Sequence, residues 1–199
     1  MTLPCYPGCF VADTLILTHG AGSNRNAPLL VAVERTLTAH GLSVARVNLR
    51  YREERASGPP RPGEAERDRA GLREWVVKAR SGGAGRVFLG GHSYGGRQAS
   101  MLAAEEPGLV DGLLLLSYPL HPARKPADLR TAHFSNLRTP ALFVSGSRDP
   151  LGSPEELESA VKLIPAPVTL VVIDRAGHEM KSPGVAERIA DAFLQRFAQ

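Results

Sequence analysis

The sequence predicts an α/β protein with a mostly parallel sheet of about six strands and helices on both faces. Three observations carry that expectation. Short apolar runs alternate along the 199 residues with longer stretches whose apolar residues fall at helical spacing, the pattern of βαβ units. The run Leu113-Leu114-Leu115-Leu116 is apolar without alternation, as expected of a strand covered on both faces. Gly-rich turns follow two of the runs, where a strand would hand over to a helix. No internal repeat or low-complexity tract divides the chain, and its length suits one core, so residues 1–199 read as a single domain.

In chain order, residues 14–18 (TLILT) form a first buried strand that ends in the loop His19-Gly20-Ala21-Gly22-Ser23-Asn24. Residues 29–40 form a helix with Leu30, Val33 and Leu37 on one face. Pro28 suits its first turn and Gly41 its C-terminal cap. Residues 43–49 form the second strand. Residues 50–63, rich in Pro, Arg and Glu, form a loop longer than most connections in a compact domain. A helix follows over residues 64–80, with Leu72, Trp75, Val76 and Ala79 facing inward. After Val87-Phe88-Leu89, a strand, and residues 97–104, a helix, comes the leucine strand. Residues 117–139 are irregular with room for one short helix, and residues 141–144 are the next strand. Ser153-Pro154-Glu155-Glu156 opens a helix as a capping box. Residues 168–173 are the last strand. Ser182-Pro183 opens the last helix, whose inner face is Val185, Ile189, Phe193 and Phe197.

The stretch RVFLGGHSYGGRQASM around Ser93 carries the chemistry. A strand, a Gly-bounded turn with Ser at its centre and a helix make a nucleophile elbow, in which glycines two positions either side leave room for a sharp turn. A serine hydroxyl needs a base to become a nucleophile, and the base needs a carboxylate to fix its tautomer. Ligands in an open parallel sheet bind beyond the carboxyl ends of the strands. Asp149 in SGSRDP and His178 in DRAGHE occupy such ends, in the order Ser, Asp, His. Asp174 competes with Asp149 but lies close to its own strand end. The oxyanion of a tetrahedral intermediate needs backbone N–H donors, and the expected ones are those of Tyr94 and Ala21. His92 is read as packing or pocket wall, and His19 as a brace for the Gly-rich loop. Tyr118, His121 and the arginines of Arg50-Tyr51-Arg52 are candidate substrate contacts, with ordinary solvated loop residues as the alternative.

Composition narrows the partners. The formal net charge is +4, and residues 44–80 alone hold ten basic and six acidic side chains, interleaved as on a solvated helix face. No zinc-finger spacing or aromatic-basic RNA signature accompanies them, so nucleic acid is not an expected partner. No apolar run reaches the length of a bilayer span and the N-terminus lacks the marks of a secretory signal. Neither membrane insertion nor export is expected, and the cytoplasm is the default location. Cys5 and Cys9 are the only cysteines, and no histidine lies near them in sequence. They read as unpaired thiols, and no metal site is expected.

Taken together, the segments HGAGSN, LRYRE, GGHSYGGRQASMLAAEEP, SYPLHPARKPADLRTAHF, TPALFVSGSRDP and RAGHEMK resemble the α/β-hydrolase superfamily over nearly the whole chain. More narrowly they resemble its dienelactone-hydrolase-like branch, within a small family of bacterial proteins that also includes a testis-expressed animal relative. The resemblance implies a three-layer α/β-hydrolase fold without a large cap domain, a Ser93, Asp149, His178 triad and hydrolase chemistry, and it assigns no substrate. Two residues depart from the family habit of Lys at position 92 and Met at position 94. Dienelactone hydrolases proper use Cys as nucleophile, so Ser93 argues against that particular substrate. The expected activity is serine-hydrolase cleavage of an ester, or another activated acyl bond, of a small molecule, with no cofactor. The alternatives are a catalytically silent module of the same fold that binds a partner, and the same triad acting on a peptide or thioester.

Overall fold

The computed structural model describes residues 12–197. Cys5 and Cys9 lie outside them. Six parallel strands form one sheet in the order β2-β1-β3-β4-β5-β6. They are β1 (Thr14–Thr18), β2 (Ser43–Val47), β3 (Val87–His92), β4 (Gly112–Leu116), β5 (Ala141–Gly146) and β6 (Val168–Ile173). Side-chain alternation splits the core in two, since neighbouring residues of a strand point to opposite faces. Ile16, Leu89, Leu113 and Leu115 join the layer under α3 (Glu64–Ser81), α4 (Tyr94–Glu105) and α5 (Pro154–Val161). Leu15, Leu17, Phe88, Leu114 and Leu116 join the layer under α1 (Pro28–Ala39) and α6 (Val185–Phe197). Because both faces of β4 are covered, its leucines need no polar alternation.

Each helix buries the stripe its sequence supplies. Leu30, Val33 and Leu37 are the buried residues of α1. Ile189, Phe193 and Phe197 of α6 close over Phe88, whose ring lies 5.1 Å from Phe193 and 5.0 Å from Phe197, centroid to centroid. Such aromatic contacts add to the area they bury. Helix α5 starts with a complete capping box: Glu156 N–H donates to Ser153 Oγ, and Ser153 N–H to the Glu156 carboxylate.

Two expectations are corrected. The segment read as a loop over residues 50–63 begins with a short helix, α2 (Arg50–Glu54). It forms because the buried Tyr51 is anchored there, its backbone N–H donating to the Asp68 carboxylate of α3 at 3.0 Å. Around Ser93 the strand runs on to His92 and α4 begins at Tyr94, so the turn is shorter than the Gly-rich sequence suggested.

The parallel arrangement sends the carboxyl ends of all six strands to one edge. The loops after β1, β3, β5 and β6 meet there. The last two are drawn close: Ser147 N–H donates to Ile173 O and Arg148 N–H to Ala176 O, both at 2.9 Å. A Cβ on Gly146 would run into the Ala176 carbonyl, so glycine is what permits that approach.

Candidate active site

Ser93 joins β3 to α4 with φ 51° and ψ −118°, a conformation that strains any residue bearing a side chain. The flanking glycines make it possible. A Cβ on Gly91 would fall 2.6 Å from Gly95 C, and one on Gly95 would fall 2.5 Å from His19 O. The turn is held from below by Ser93 N–H donating to Leu116 O at 2.8 Å.

The Ser93 hydroxyl donates to Nε2 of His178 at 2.8 Å. On the other side of the ring, Nδ1–H faces both carboxylate oxygens of Asp149, at 2.9 and 3.0 Å. Asp149 is buried, and its Oδ1 also accepts the Leu151 N–H, so the carboxylate is fixed from its own loop. Asp174 points elsewhere. It is exposed, beside the Arg175 guanidinium and the Ser147 hydroxyl. The hydrogen-bonded row of hydroxyl, imidazole and carboxylate therefore runs through Asp149.

The loop after β1 lies against the serine: a Cβ on Gly20 would sit 3.4 Å from Ser93 Cβ. The Ala21 N–H has no hydrogen-bond partner among the described residues. Tyr94, the first residue of α4, sits at a helix start with no side-chain cap, where backbone N–H groups lack intrahelical acceptors and carry partial positive charge. A cleft of about 730 Å³ opens over Ser93 and His178. Its floor is Gly20, Ala21 and His92, and its walls come from α1 (Leu29, Ala32) and from the segment leading into α6 (Met180, Val185).

The match to known proteins agrees with this fold. The family model described as an alpha/beta hydrolase domain matches residues 11–199. The chain belongs to the α/β-hydrolases. Among solved structures, it is similar to a dienelactone hydrolase from Anabaena variabilis, with 23% identity over 96% of this chain and 87% of that one, at a TM-score of 0.76. Est1E from Butyrivibrio proteoclasticus, solved with ferulic acid bound, is 18% identical over 94% and 90% of the two chains, at 0.76. A monoacylglycerol lipase from Paleococcus ferrophilus is 17% identical over 94% and 95%, at 0.67. These likenesses establish the shared fold.

Within this α/β-hydrolase, residues around the row hold the site in place, and one of them, Asp68, the sequence did not single out. His92 Nε2–H donates to the carbonyl of His178 at 2.8 Å, with the two rings 5.2 Å apart, so it braces the loop that carries the imidazole. Burial pushes the His92 ring below its ordinary pKa, which keeps it neutral beside His178. Asp68, fully buried on α3, accepts from the Tyr51 N–H with Oδ1 and from the Tyr94 hydroxyl with Oδ2, at 3.0 and 2.8 Å. Tyr51 in turn donates its hydroxyl to Ala21 O at 2.8 Å. One carboxylate thus ties the start of α4 to the loop after β1. Burial raises the Asp68 pKa, and the two donated hydrogen bonds oppose that rise. His19 is braced on both ring nitrogens: it donates to Gly20 O at 2.8 Å and accepts from Leu49 N–H at 3.2 Å.

Tyr118 and His121 are not among the residues lining the cleft. Both are buried. Tyr118 packs against Phe134 and Phe143 at 5.4 and 5.7 Å and donates its hydroxyl to Arg130 O. His121 lies 3.5 Å from the Glu156 carboxylate of α5, with Nδ1 at 3.0 Å from Pro122 O. Aromatic area on the loop after β4 is better buried against the sheet than left at the rim. Of Arg50-Tyr51-Arg52, Arg50 pairs with Glu53 and Glu74 and so joins α2 to α3, while Arg52 donates to Ser23 O and Gly58 O and holds two loops. Among the described residues, no group of three or more His, Cys, Asp or Glu is placed to hold a metal ion, and no helix is long and apolar enough to cross a membrane.

Proposed function

We propose that this chain is a serine hydrolase that cleaves an ester, or another activated acyl bond, of a small molecule through an acyl-enzyme. The observation that carries the reading is the continuous row from Ser93 Oγ through His178 to Asp149, with every step between 2.8 and 3.0 Å. As Ser93 attacks the carbonyl carbon, its proton passes to His178 Nε2. Asp149 stays ionised, holds the Nδ1–H tautomer and stabilises the imidazolium. The carbonyl oxygen becomes an oxyanion and takes hydrogen bonds from the N–H groups of Ala21 and Tyr94. His178 then protonates the leaving group, the acyl-serine remains, and water activated by the same imidazole releases the acid.

Apolar walls on the cleft, from Leu29, Met180 and Val185, favour a small apolar acyl or aromatic acid over a polymer. Est1E, a protein of the same fold, binds ferulic acid, an acid of that size. In the narrower classification the chain is read as dienelactone-hydrolase-like, one domain over residues 1–199, with serine in place of the cysteine nucleophile.

A fluorophosphonate probe tests the assignment. Wild type should be labelled and should hydrolyse short-chain 4-nitrophenyl esters, while Ser93→Ala should do neither. A wild-type protein that resists the probe and all activated esters would instead be a silent module that binds its ligand in the same cleft. Acyl-thioester and aminoacyl substrates then decide among the remaining acyl bonds.

A further inference from the structure

Outside the residues that line the cleft, two half-buried positive charges have no counter-ion among the described residues. The arginines on and just after α2 and on α3 are mostly neutralised: Arg50, Arg55, Arg67, Arg69 and Arg73 each pair with a glutamate. Arg97 and Arg130 are different. Both are half-buried, and no carboxylate among the described residues pairs with either. Arg97 Nε is buried without any hydrogen-bond partner among the described residues.

Ser100 Oγ, bonded to Arg97 O and to His133 Nε2, brings the loop that carries Arg130 onto the first turns of α4. Arg97 sits one helical turn past the nucleophile, its N–H donating to Ser93 O at 3.0 Å. Tyr118 ties in the Arg130 loop, its hydroxyl donating to Arg130 O at 2.7 Å, and it feels the charges of both Arg97 and Arg130. Arg130 makes one long side-chain bond, to Pro119 O at 3.4 Å, and its charge is disfavoured by burial and then by Arg97. His133 adds no charge. Its Nε2–H donates to Ser100 Oγ, whose own proton goes to Arg97 O, and burial, then Arg97 and Arg69, hold its pKa down to about 4. Two guanidinium groups brought together in a half-buried place, with no acid to offset them, repel each other unless an anion bridges them.

We propose that Arg97 and Arg130 form an anion subsite that takes a carboxylate or phosphate group of the substrate. The planar fork of each guanidinium matches such an oxyanion, and two forks facing one anion give a strong, orientation-specific contact. Tyr118 acts here as the wall that positions the arginines, instead of as a rim contact. That the anion belongs to the substrate rests on the hydrolase reading above; that the site binds an anion does not.

Isothermal calorimetry with inorganic phosphate and with succinate, at fixed ionic strength set by sodium chloride, tests the binding. Saturable binding of at least one to wild type, weakened roughly tenfold or more in Arg97→Gln or Arg130→Gln, is expected. Should either fail to fold, Arg97→Lys and Arg130→Lys keep the charge and lose the fork, and weakened binding is again expected. No saturable binding, or binding the substitutions leave unchanged, overturns the subsite. Matched esters then test whose anion it is: phenyl butyrate against the phenyl hemiester of succinate, and against the butyrate ester of 4-hydroxybenzoate. A KM for one charged ester roughly tenfold below the neutral one, with the ratio collapsing in Arg97→Gln, supports a substrate subsite and shows on which side of the scissile bond it lies. Phosphate or succinate binding with no preference for either charged ester overturns the substrate assignment. Anion binding with no probe labelling and no ester turnover rejects the hydrolase reading and leaves the anion site standing.

Discussion

Two histidines flank Ser93 on the same edge of the sheet, and their surroundings could hardly differ more. His19, in the loop after β1, has both ring nitrogens engaged by the backbone, Gly20 O on one side and Leu49 N–H on the other. His178, in the loop after β6, faces a hydroxyl with one nitrogen and a carboxylate with the other. The first arrangement consumes the imidazole as a structural cross-link. Burial lowers the His19 pKa to about 4, so the ring stays neutral at pH 7. The second leaves a lone pair on the proton to be moved and an anion behind it. Residue type and loop position are alike; what the ring nitrogens touch tells the two apart.

The largest expected effect comes from altering what lies behind the His178 ring. Asp149→Asn should lower kcat on an activated ester by roughly 10³–10⁴-fold with little change in melting temperature, because an amide favours the wrong tautomer. A drop of less than about tenfold would mean that His178 does not act as base through this pair. The opposite signature belongs to His19. His19→Ala should destabilise the fold by about 3 kcal/mol in chemical denaturation, leaving a cavity and an unmet Leu49 N–H. If stability holds and only activity falls, His19 is no brace.

The smallest effect sharpens the comparison by pH. A histidine whose folded pKa is depressed binds its proton more weakly than in the unfolded chain, so full stability is present above pH 6.5 and is lost as pH falls towards 4. His19 alone should contribute a slope of up to about 1.4 kcal/mol per pH unit across that window. His133 and His92, also shifted down mainly by burial, add to it. His19→Gln should flatten the profile between pH 6.5 and 4 by one proton. An unchanged slope would mean that this ring titrates normally.

How much of this was legible in the chain follows from range. The elbow is a local object: Gly91, Ser93 and Gly95 dictate a turn that only glycines permit, and five residues announce it. The strands under Leu113–116 and the stripe of α6 are equally local in origin. The sequence favours Asp149 over Asp174 only by distance from the strand end; the Gly146–Ala176 approach and the exposure of Asp174 add the reason that a single chain segment cannot show. Asp68 gave no signal. Its partners Tyr51 and Tyr94 lie 17 and 26 positions away, and on an Arg/Glu-rich helix one buried carboxylate looks like any solvated one. Tyr118 gives little signal for a related reason, since a loop tyrosine reveals neither whether its ring meets Phe134 nor where its hydroxyl goes.

The sequence by itself determined the layering, the elbow and the three residue types at the strand ends, because periodicity, glycine sterics and strand order act over a few residues at a time. Only the tertiary structure decided that one carboxylate of the Arg/Glu-rich helix is buried between two tyrosines, that Tyr118 packs on the sheet, and which arginines lack a counter-charge among the described residues. Those outcomes depend on burial and on partners distant along the chain, and charge and hydrogen-bond energies are set by that surrounding, not by the residue's own chemistry.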